Sequence, residues 1–416
     1  MTSATTSPAS RLRWLAISVF VLSYGLNYLD RQLLAAVAPA VKAEFHLTNE
    51  QYGMILSVFS IVYALASPAA GLLIDRVGLN LGASLAVAAW SFAGIATGLV
   101  STFRGLLGCR IALGVAEAAG MPCIGKANAL YLPPSELALG VSMNQVGISL
   151  GSAAAPLIVA MLMPLWGWRS AFIFCGALGL VWIPLWWLVS RTVPPQPQQS
   201  QPPAHATPAS AAINLAGLLR DRKLWGLILA SMLYMTLYTL WTNWTTLYFV
   251  QSRGMSLDEA NRNFAWIPPL CATLGGFVGG SLSFRAIRSG VPVQRARMRA
   301  CWFGAALALS TAAIPWMPNS ILAAAAISMS FFACLVILTN VYSMPTDLFG
   351  VERAAFGGAA LTFAYGAMQA VVSPFIGRLV DLWGFSAVCV AFAFMPLAGV
   401  TVLRLTIPQP AASAGR

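Results

Sequence analysis

The sequence predicts an all-α membrane protein of twelve transmembrane helices in two pseudo-symmetric six-helix bundles. Three observations carry that prediction. Of 416 residues, 58% are apolar and only 9% are charged, where a soluble domain holds roughly 25% charged residues. Apolar runs long enough to span a bilayer, about 20 residues each, recur along the chain. A polar run, Pro-Pro-Gln-Pro-Gln-Gln-Ser-Gln-Pro-Pro at 194–203, divides those runs six and six. Helices follow because backbone groups in lipid must be satisfied internally. The ten-residue alternating pattern of an outer-membrane barrel is absent.

The first six spans are expected at 14–41, 50–74, 80–100, 103–131, 136–164 and 168–190. The second six are expected at 223–250, 257–286, 298–316, 320–346, 354–380 and 384–407. Residues 1–190 then form an N-terminal bundle, 191–222 a cytoplasmic linker that its prolines keep from helix, and 223–416 a C-terminal bundle. A weak internal echo supports two parallel repeats. Gly71-Leu72-Leu73-Ile74-Asp75-Arg76-Val77-Gly78 follows the second span, and a related stretch from Gly280 to Gly290 follows the eighth, with Phe284 in place of Asp75.

Lys and Arg set the orientation. Arg11, Arg13, Arg76, Arg191, Arg220, Arg222, Lys223, Arg285, Arg288, Arg295, Arg297, Arg299, Arg353, Arg404 and Arg416 fall with both termini, whereas the opposite side carries only Lys42, Arg104, Arg169, Arg253, Arg262 and Arg378. Both termini are therefore expected in the cytoplasm. The net charge of +12 is met by loops facing anionic lipid, and no nucleic-acid partner is implied. The first helix is expected to serve as the insertion signal, without a cleaved leader. The seven cysteines have neither metal-ligand nor redox spacing and read as small core residues. His46 and His205 fall in loops, so proton transfer inside the membrane is left to carboxylates.

Two of the twelve acids, Asp30 and Glu117, lie within apolar spans, and so do Arg31, Arg110 and Lys126. Charged groups in a membrane are costly and mark functional sites. Asp30 lies about 24 Å along the first helix from Trp14, past the midplane. Asp30 and Arg31 point about 100° apart, so each needs a partner elsewhere. Arg110 and Glu117, two turns apart, share one inward face. The two acids and two arginines can interleave; which pairs with which is open. Lys126 is either a cavity residue or a snorkelling one. Desolvation favours the neutral form of a carboxylic acid, and a neighbouring arginine favours the charged form. An incoming anion that takes the arginine therefore promotes proton uptake by the acid. A static ion-pair network is the competing reading.

These residues fall in motifs that resemble the major facilitator superfamily and, within it, the anion:cation symporters of bacterial hexuronate and galactonate. The motifs are Asn27-Tyr28-Leu29-Asp30-Arg31, Asp75-Arg76-Val77-Gly78, Arg110 with Gly114 and Glu117-Ala118, and Pro122 with Lys126. Others are Gly147 through Gly151 to Pro156, Gly167-Trp168-Arg169 and Pro345-Thr346-Asp347-Leu348-Phe349. The resemblance covers nearly the whole chain. It implies proton-driven symport of an organic anion by alternating access, with Asp30 and Glu117 as protonation sites. It implies that Arg31 holds the substrate carboxylate, that Arg110 joins the charge network, and that Tyr28 and Tyr63 line the cavity. Ile148 and Thr362 stand where the galactonate transporter carries glutamine and asparagine, so two amide contacts to sugar hydroxyls are weakened. Gln145 and Tyr365 lie close to those positions. The hexuronate-type relatives have asparagine at the position of Gln145. The substrate is thus a hexuronate, an aldonate or another small carboxylate.

In the second half Asn243, between Trp241 and Trp244 in chain order, is assigned to a cavity or gate. Asn340 and Tyr342, just before Pro345, are candidate polar contacts, with Thr362 and Tyr365. Pro268-Pro269 and Pro345 are expected to disturb their helices. Gly275-Gly276 and Gly279-Gly280 suit close helix packing. Asp75 and Arg76 are read as a gating latch in a cytoplasmic loop.

A cation or drug exporter of the same fold is the alternative, disfavoured because a cation would meet Arg31 and Arg110. No nucleophile–base pair, metal cluster or phosphate-binding glycine loop supports an enzyme, and no soluble output domain supports a sensor. No cofactor or metal is expected. The expected partners are a small organic anion, protons and the lipid bilayer of a bacterial inner membrane, with a monomer as the working state.

Overall fold

The computed structural model describes residues 8–133, 136–195 and 219–407. Most of the expected linker, 196–218, lies outside the described residues, as do His205, Arg416 and the side chain of Arg353. Seven helices precede that gap: α1 (Pro8–Glu44), α2 (Asn49–Val77), α3 (Leu79–Thr97), α4 (Phe103–Glu117), α5 (Gly120–Tyr131), α6 (Leu137–Trp166) and α7 (Trp168–Thr192). After it come α8 (Arg222–Arg253), α9 (Leu257–Ala260), a π-turn (Asn261–Ala265), α10 (Ile267–Arg288) and α11 (Val293–Ala308). A 3₁₀ segment (Leu309–Trp316), α12 (Ser320–Val341), α13 (Met344–Phe349), α14 (Val351–Ala393) and α15 (Met395–Thr406) complete the chain.

Among the described residues, ten helical stretches are long and apolar enough to cross a membrane. Two local features reconcile that number with the expected twelve. Gly384 sits at φ 71° and ψ 175°, a conformation that only glycine adopts readily, so the 51-residue stretch Phe356–Thr406 contains the last two expected spans. The expected span at 298–316 is instead the 16-residue α11 continued by eight residues of 3₁₀ helix. Pro315, inside that segment, has no N–H to return to the Thr311 carbonyl.

Proline explains other breaks in the same way. Pro122 cannot bond the Ala118 carbonyl, and the fourth span divides there into α4 and α5. Pro345 cannot bond the Val341 carbonyl, and the tenth span divides there into α12 and α13. Pro268-Pro269 occupy the first turn of α10, directly after the π-turn.

The chain forms two compact units. The first comprises Met1–His46, Val58–Ala204 and Leu257–Arg262; the second comprises Leu47–Ser57, His205–Ser256 and Asn263–Arg416. The short exchanged segments are held by side-chain bonds to backbone. In the first unit, buried Asn261 donates through Nδ2 to the Ala36 carbonyl at 2.9 Å. In the second, Asp381 caps the start of α2, accepting from the Asn49 and Glu50 amides at 3.1 and 3.0 Å.

Apolar burial builds each unit around its own core. The core of the first includes Phe20, Tyr131, Trp182 and Trp186, with Trp182 Nε1 donating to the Val19 carbonyl at 2.7 Å. Gly147 and Gly151 let α6 lie against the backbone of α1. A Cβ at Gly147 would stand 2.9 Å from the Val21 carbonyl oxygen, and one at Gly151 would overlap that of Gly25. Small residues at such crossings drive close helix association in membranes. Gly151→Val is therefore expected to destabilise the first unit by at least about 2 kcal/mol, the scale of an overpacked core. A lower thermal midpoint and a lost monodisperse peak in detergent would register it; an unchanged midpoint would refute the crossing.

The core of the second unit includes Tyr234, Met235, Met298, Ile337 and Met368. Gly275 and Gly279 bring α10 against the backbone of α12, at Phe332 and Val336, the packing role the sequence assigned to the glycine pairs.

Candidate functional site

Four charged residues of the first unit, Asp30 and Arg31 on α1 and Arg110 and Glu117 on α4, lie close together. Asp30, Arg110 and Glu117 are 3%, 2% and 0% exposed. Glu117 Oε2 accepts from Arg31 Nε at 2.5 Å. Asp30 has Glu117 and Arg110 as its charged neighbours. One pairing left open by the sequence thus resolves: Arg31 bonds Glu117. Arg110 also reaches Thr97 Oγ1 at 3.5 Å, and its guanidinium lies 5.6 Å from the Phe172 ring centroid.

Aromatic rings frame the other arginine. The Arg31 guanidinium carbon lies 4.9 Å from the Tyr28 centroid, 5.2 Å from Phe59 and 4.4 Å from Tyr63. Phe59 and Tyr63 stack on each other one turn apart on α2. Gly114 on α4 admits α2 at this level, since a Cβ there would stand 3.0 Å from the Phe59 carbonyl oxygen. The rings supply quadrupolar attraction for a cation and hold the guanidinium plane. The Arg31 side chain keeps 19% exposure, while Glu117 has none. One member of the pair therefore remains reachable.

Phe59 and Asn27 are additions that sequence reading missed. Asn27 is fully buried, and neither amide atom has a hydrogen-bond partner among the described residues. A Cβ at Gly120 would stand 3.6 Å from its Nδ2. Its place three residues before Asp30, one turn away on the same face, was the available signal. Phe59 gave no signal, because one phenylalanine in an apolar helix says nothing about its face. Gln145 on α6 is half-buried.

The second unit spends its polar candidates largely on backbone. Asn340 Nδ2 donates to the Gly279 and Val336 carbonyls at 3.1 and 2.9 Å, joining α12 to α10. Asn243 Nδ2 donates to Thr239 of its own helix at 3.1 Å, and its carbonyl accepts from the Tyr52 hydroxyl at 3.0 Å. Thr362 is exposed, and its hydroxyl returns to the Gly358 carbonyl at 3.1 Å. Tyr342 and Tyr365 are half-buried.

A family model of the Major Facilitator Superfamily matches residues 20–371. The chain belongs to that superfamily. It is a multi-pass membrane transporter of this class and not an enzyme. The facilitator is 28% identical over 405 residues to a hexuronate transporter of Escherichia coli K12, covering 94% of this chain and 93% of that one. It is 30% identical over 279 residues to a galacturonate transporter of Dickeya chrysanthemi, covering 65% of this chain and 81% of that one. Among solved structures, a bacterial homologue of the human lysosomal transporter Spinster, inward-facing and unoccupied, superposes with a TM-score of 0.76 at 20% identity, covering 96% of each chain. That likeness establishes the fold.

In this facilitator Lys126 points away from the charged cluster. Its Nζ donates to the Ile74 carbonyl at 3.0 Å and to Asp75 Oδ1 at 3.1 Å. A cation at the C-terminal end of α2 complements the helix dipole there. Asp75 and Arg76 are both exposed, and Asp75 is bound through Lys126 to α5.

Proposed function

We propose that this facilitator is a proton-coupled symporter that imports a small organic anion, a hexuronate, an aldonate or another carboxylate, across the bacterial inner membrane by alternating access. One observation carries the proposal: Arg31 is shared between a fully buried carboxylate and an open aromatic frame. The names of the two relatives, transporters of hexuronate and of galacturonate, support the same substrate class.

Arg31 offers a planar fork to a carboxylate. A substrate carboxylate that takes the fork displaces Glu117, which is then left in an apolar site without its cation and takes up a proton. Asp30 and Arg110 form the second half of the relay, so that a proton lost by one acid is met by a change at the other. Tyr28 and Tyr63 position the substrate beside Arg31, with Gln145 available to a hydroxyl. Asn243, Asn340, Tyr342, Thr362 and Tyr365 select the body of the substrate. Asp75 and Arg76, with Lys126, latch one access state. Both termini lie in the cytoplasm, residues 1–190 and 223–416 act as two bundles joined by the linker at 191–222, and the monomer is the transporting unit.

A thermal-shift screen of the purified protein tests the substrate class. Sugar acids or aliphatic monocarboxylates should raise the midpoint by several degrees at saturation. A rise with organic cations alone would favour the exporter reading and defeat this one.

A further inference from the structure

Asn27 is a buried polar group of the first unit that the coupling scheme leaves unused. It is fully buried on α1, and neither its Oδ1 nor its Nδ2 has a hydrogen-bond partner among the described residues. An amide left unpaired away from water costs free energy, so such a group calls for a partner in some state of the protein.

Two contacts, one helical turn apart, join α1 to the α4–α5 stretch. Arg31 Nε bonds Glu117 Oε2 at 2.5 Å. Four residues back along α1, the Asn27 amide lies beside Gly120, which is three residues on from Glu117. A Cβ at Gly120 would stand 3.6 Å from Nδ2 and 3.8 Å from Oδ1, so glycine leaves the space next to the amide free of a side chain. The other carboxyl oxygen of Glu117, Oε1, is also buried and without a hydrogen-bond partner among the described residues. Two unpaired groups therefore stand on adjacent turns, about 5–6 Å apart along the axis.

Their chemistry is complementary in one protonation state. Arg31, Arg110, Asp30 and Tyr28 are the charged and titratable groups around Glu117. An arginine suits the carboxylate. A neutral carboxyl needs an acceptor for its O–H and a donor for its carbonyl oxygen, and a primary amide presents both side by side.

We propose that Asn27 is a positioning residue that docks the neutral carboxyl of Glu117. The inference rests on the symport reading. Once a substrate anion takes Arg31 and Glu117 gains a proton, the Glu117 side chain swings one turn toward Gly120. Its O–H then donates to Asn27 Oδ1, and Asn27 Nδ2 donates to its carbonyl oxygen. Glu117 thus has two seats, charged on Arg31 and neutral on Asn27, and Arg31 stays with the anion until the proton leaves.

Infrared difference spectroscopy and thermal unfolding test the dock without any substrate, since Arg31→Ala itself releases Glu117. Wild type, Asn27→Leu, Arg31→Ala and the double variant are compared, and the Glu117 carboxyl band is assigned by its loss when Glu117→Gln is added. Arg31→Ala should show a protonated Glu117 band at the lowered wavenumber of a hydrogen-bonded carboxyl, and adding Asn27→Leu should move it to higher wavenumber. The thermal midpoints should reverse in sign. In wild type, Asn27→Leu removes an unpaired amide and should keep or raise the midpoint; in the Arg31→Ala background it removes the dock and should lower it. Arg31→Met, which keeps bulk between the rings, replaces Arg31→Ala throughout should the latter fail to fold. A band unmoved by Asn27→Leu, or an equal fall of the midpoint in both backgrounds, would overturn the dock and leave the symport reading standing. Absent gradient-driven uptake in wild-type liposomes would defeat that reading instead, with the dock still decided by the band.

Discussion

Arg31→Ala is expected to abolish substrate binding. In the thermal-shift assay no carboxylate should move the midpoint of the variant, and uptake should fall to the level of empty liposomes. The expectation follows from what Arg31 holds: a hydrogen bond to Glu117 and contacts with three aromatic rings. Removing it strands a buried carboxylate, and breaking a buried pair in this way costs roughly 3–5 kcal/mol. Instability and lost binding must therefore be told apart. Arg31→Ala combined with Glu117→Gln removes the stranded charge, so it should recover stability without recovering binding. Arg31→Lys should fold and still lose most affinity, because an ammonium is a point charge where a planar fork is needed. If Arg31→Lys bound substrate as wild type does, the ring-held fork would not be the recognition element.

The second large effect falls on coupling. Asp30→Asn and Glu117→Gln keep the size and polarity of the side chain and remove its titration. In Glu117→Gln the amide oxygen still accepts from Arg31, so the site keeps its form. Each variant should lose accumulation driven by a pH gradient while retaining exchange of labelled for unlabelled substrate. The same relation gives a pH dependence. In wild type, substrate affinity should rise as the pH falls, because the proton and the anion are taken up together, and this dependence should flatten in Glu117→Gln.

How much of this was legible in the sequence differs by residue. The apolar spans and the proline breaks were legible, because backbone satisfaction in lipid and the missing proline N–H act locally. Pro345 therefore breaks its helix where the sequence places it, whereas the division of the 103–131 span near Pro122 was not expected. The 3₁₀ continuation of α11 was not, since residues 298–316 are apolar enough for an uninterrupted span. The candidate charges stood out as rare ionisable groups among apolar neighbours. Their pairing did not, because it depends on how α1 and α4 rotate, and that follows from close contacts between other helix pairs, of α4 with α2 at Gly114 and of α6 with α1 at Gly147. Phe59 was illegible for the same reason: its neighbours in space come from other helices. Lys126 had two readings in sequence, and the carbonyl of Ile74 and the carboxylate of Asp75 decide between them. The second half of the chain offered polar residues without charge, and side chains such as Asn340 are equally suited to a backbone carbonyl and to a substrate hydroxyl.

The exchange of Arg31 between Glu117 and a substrate anion is the centre of this account, and reconstituted vesicles test it most directly. Wild type, Asp30→Asn and Glu117→Gln are placed in liposomes with an imposed pH gradient and given the labelled acid selected by the thermal-shift screen. The account predicts concentrative uptake in wild type alone, with exchange preserved in both variants. Full gradient-driven accumulation in both acid variants would contradict it.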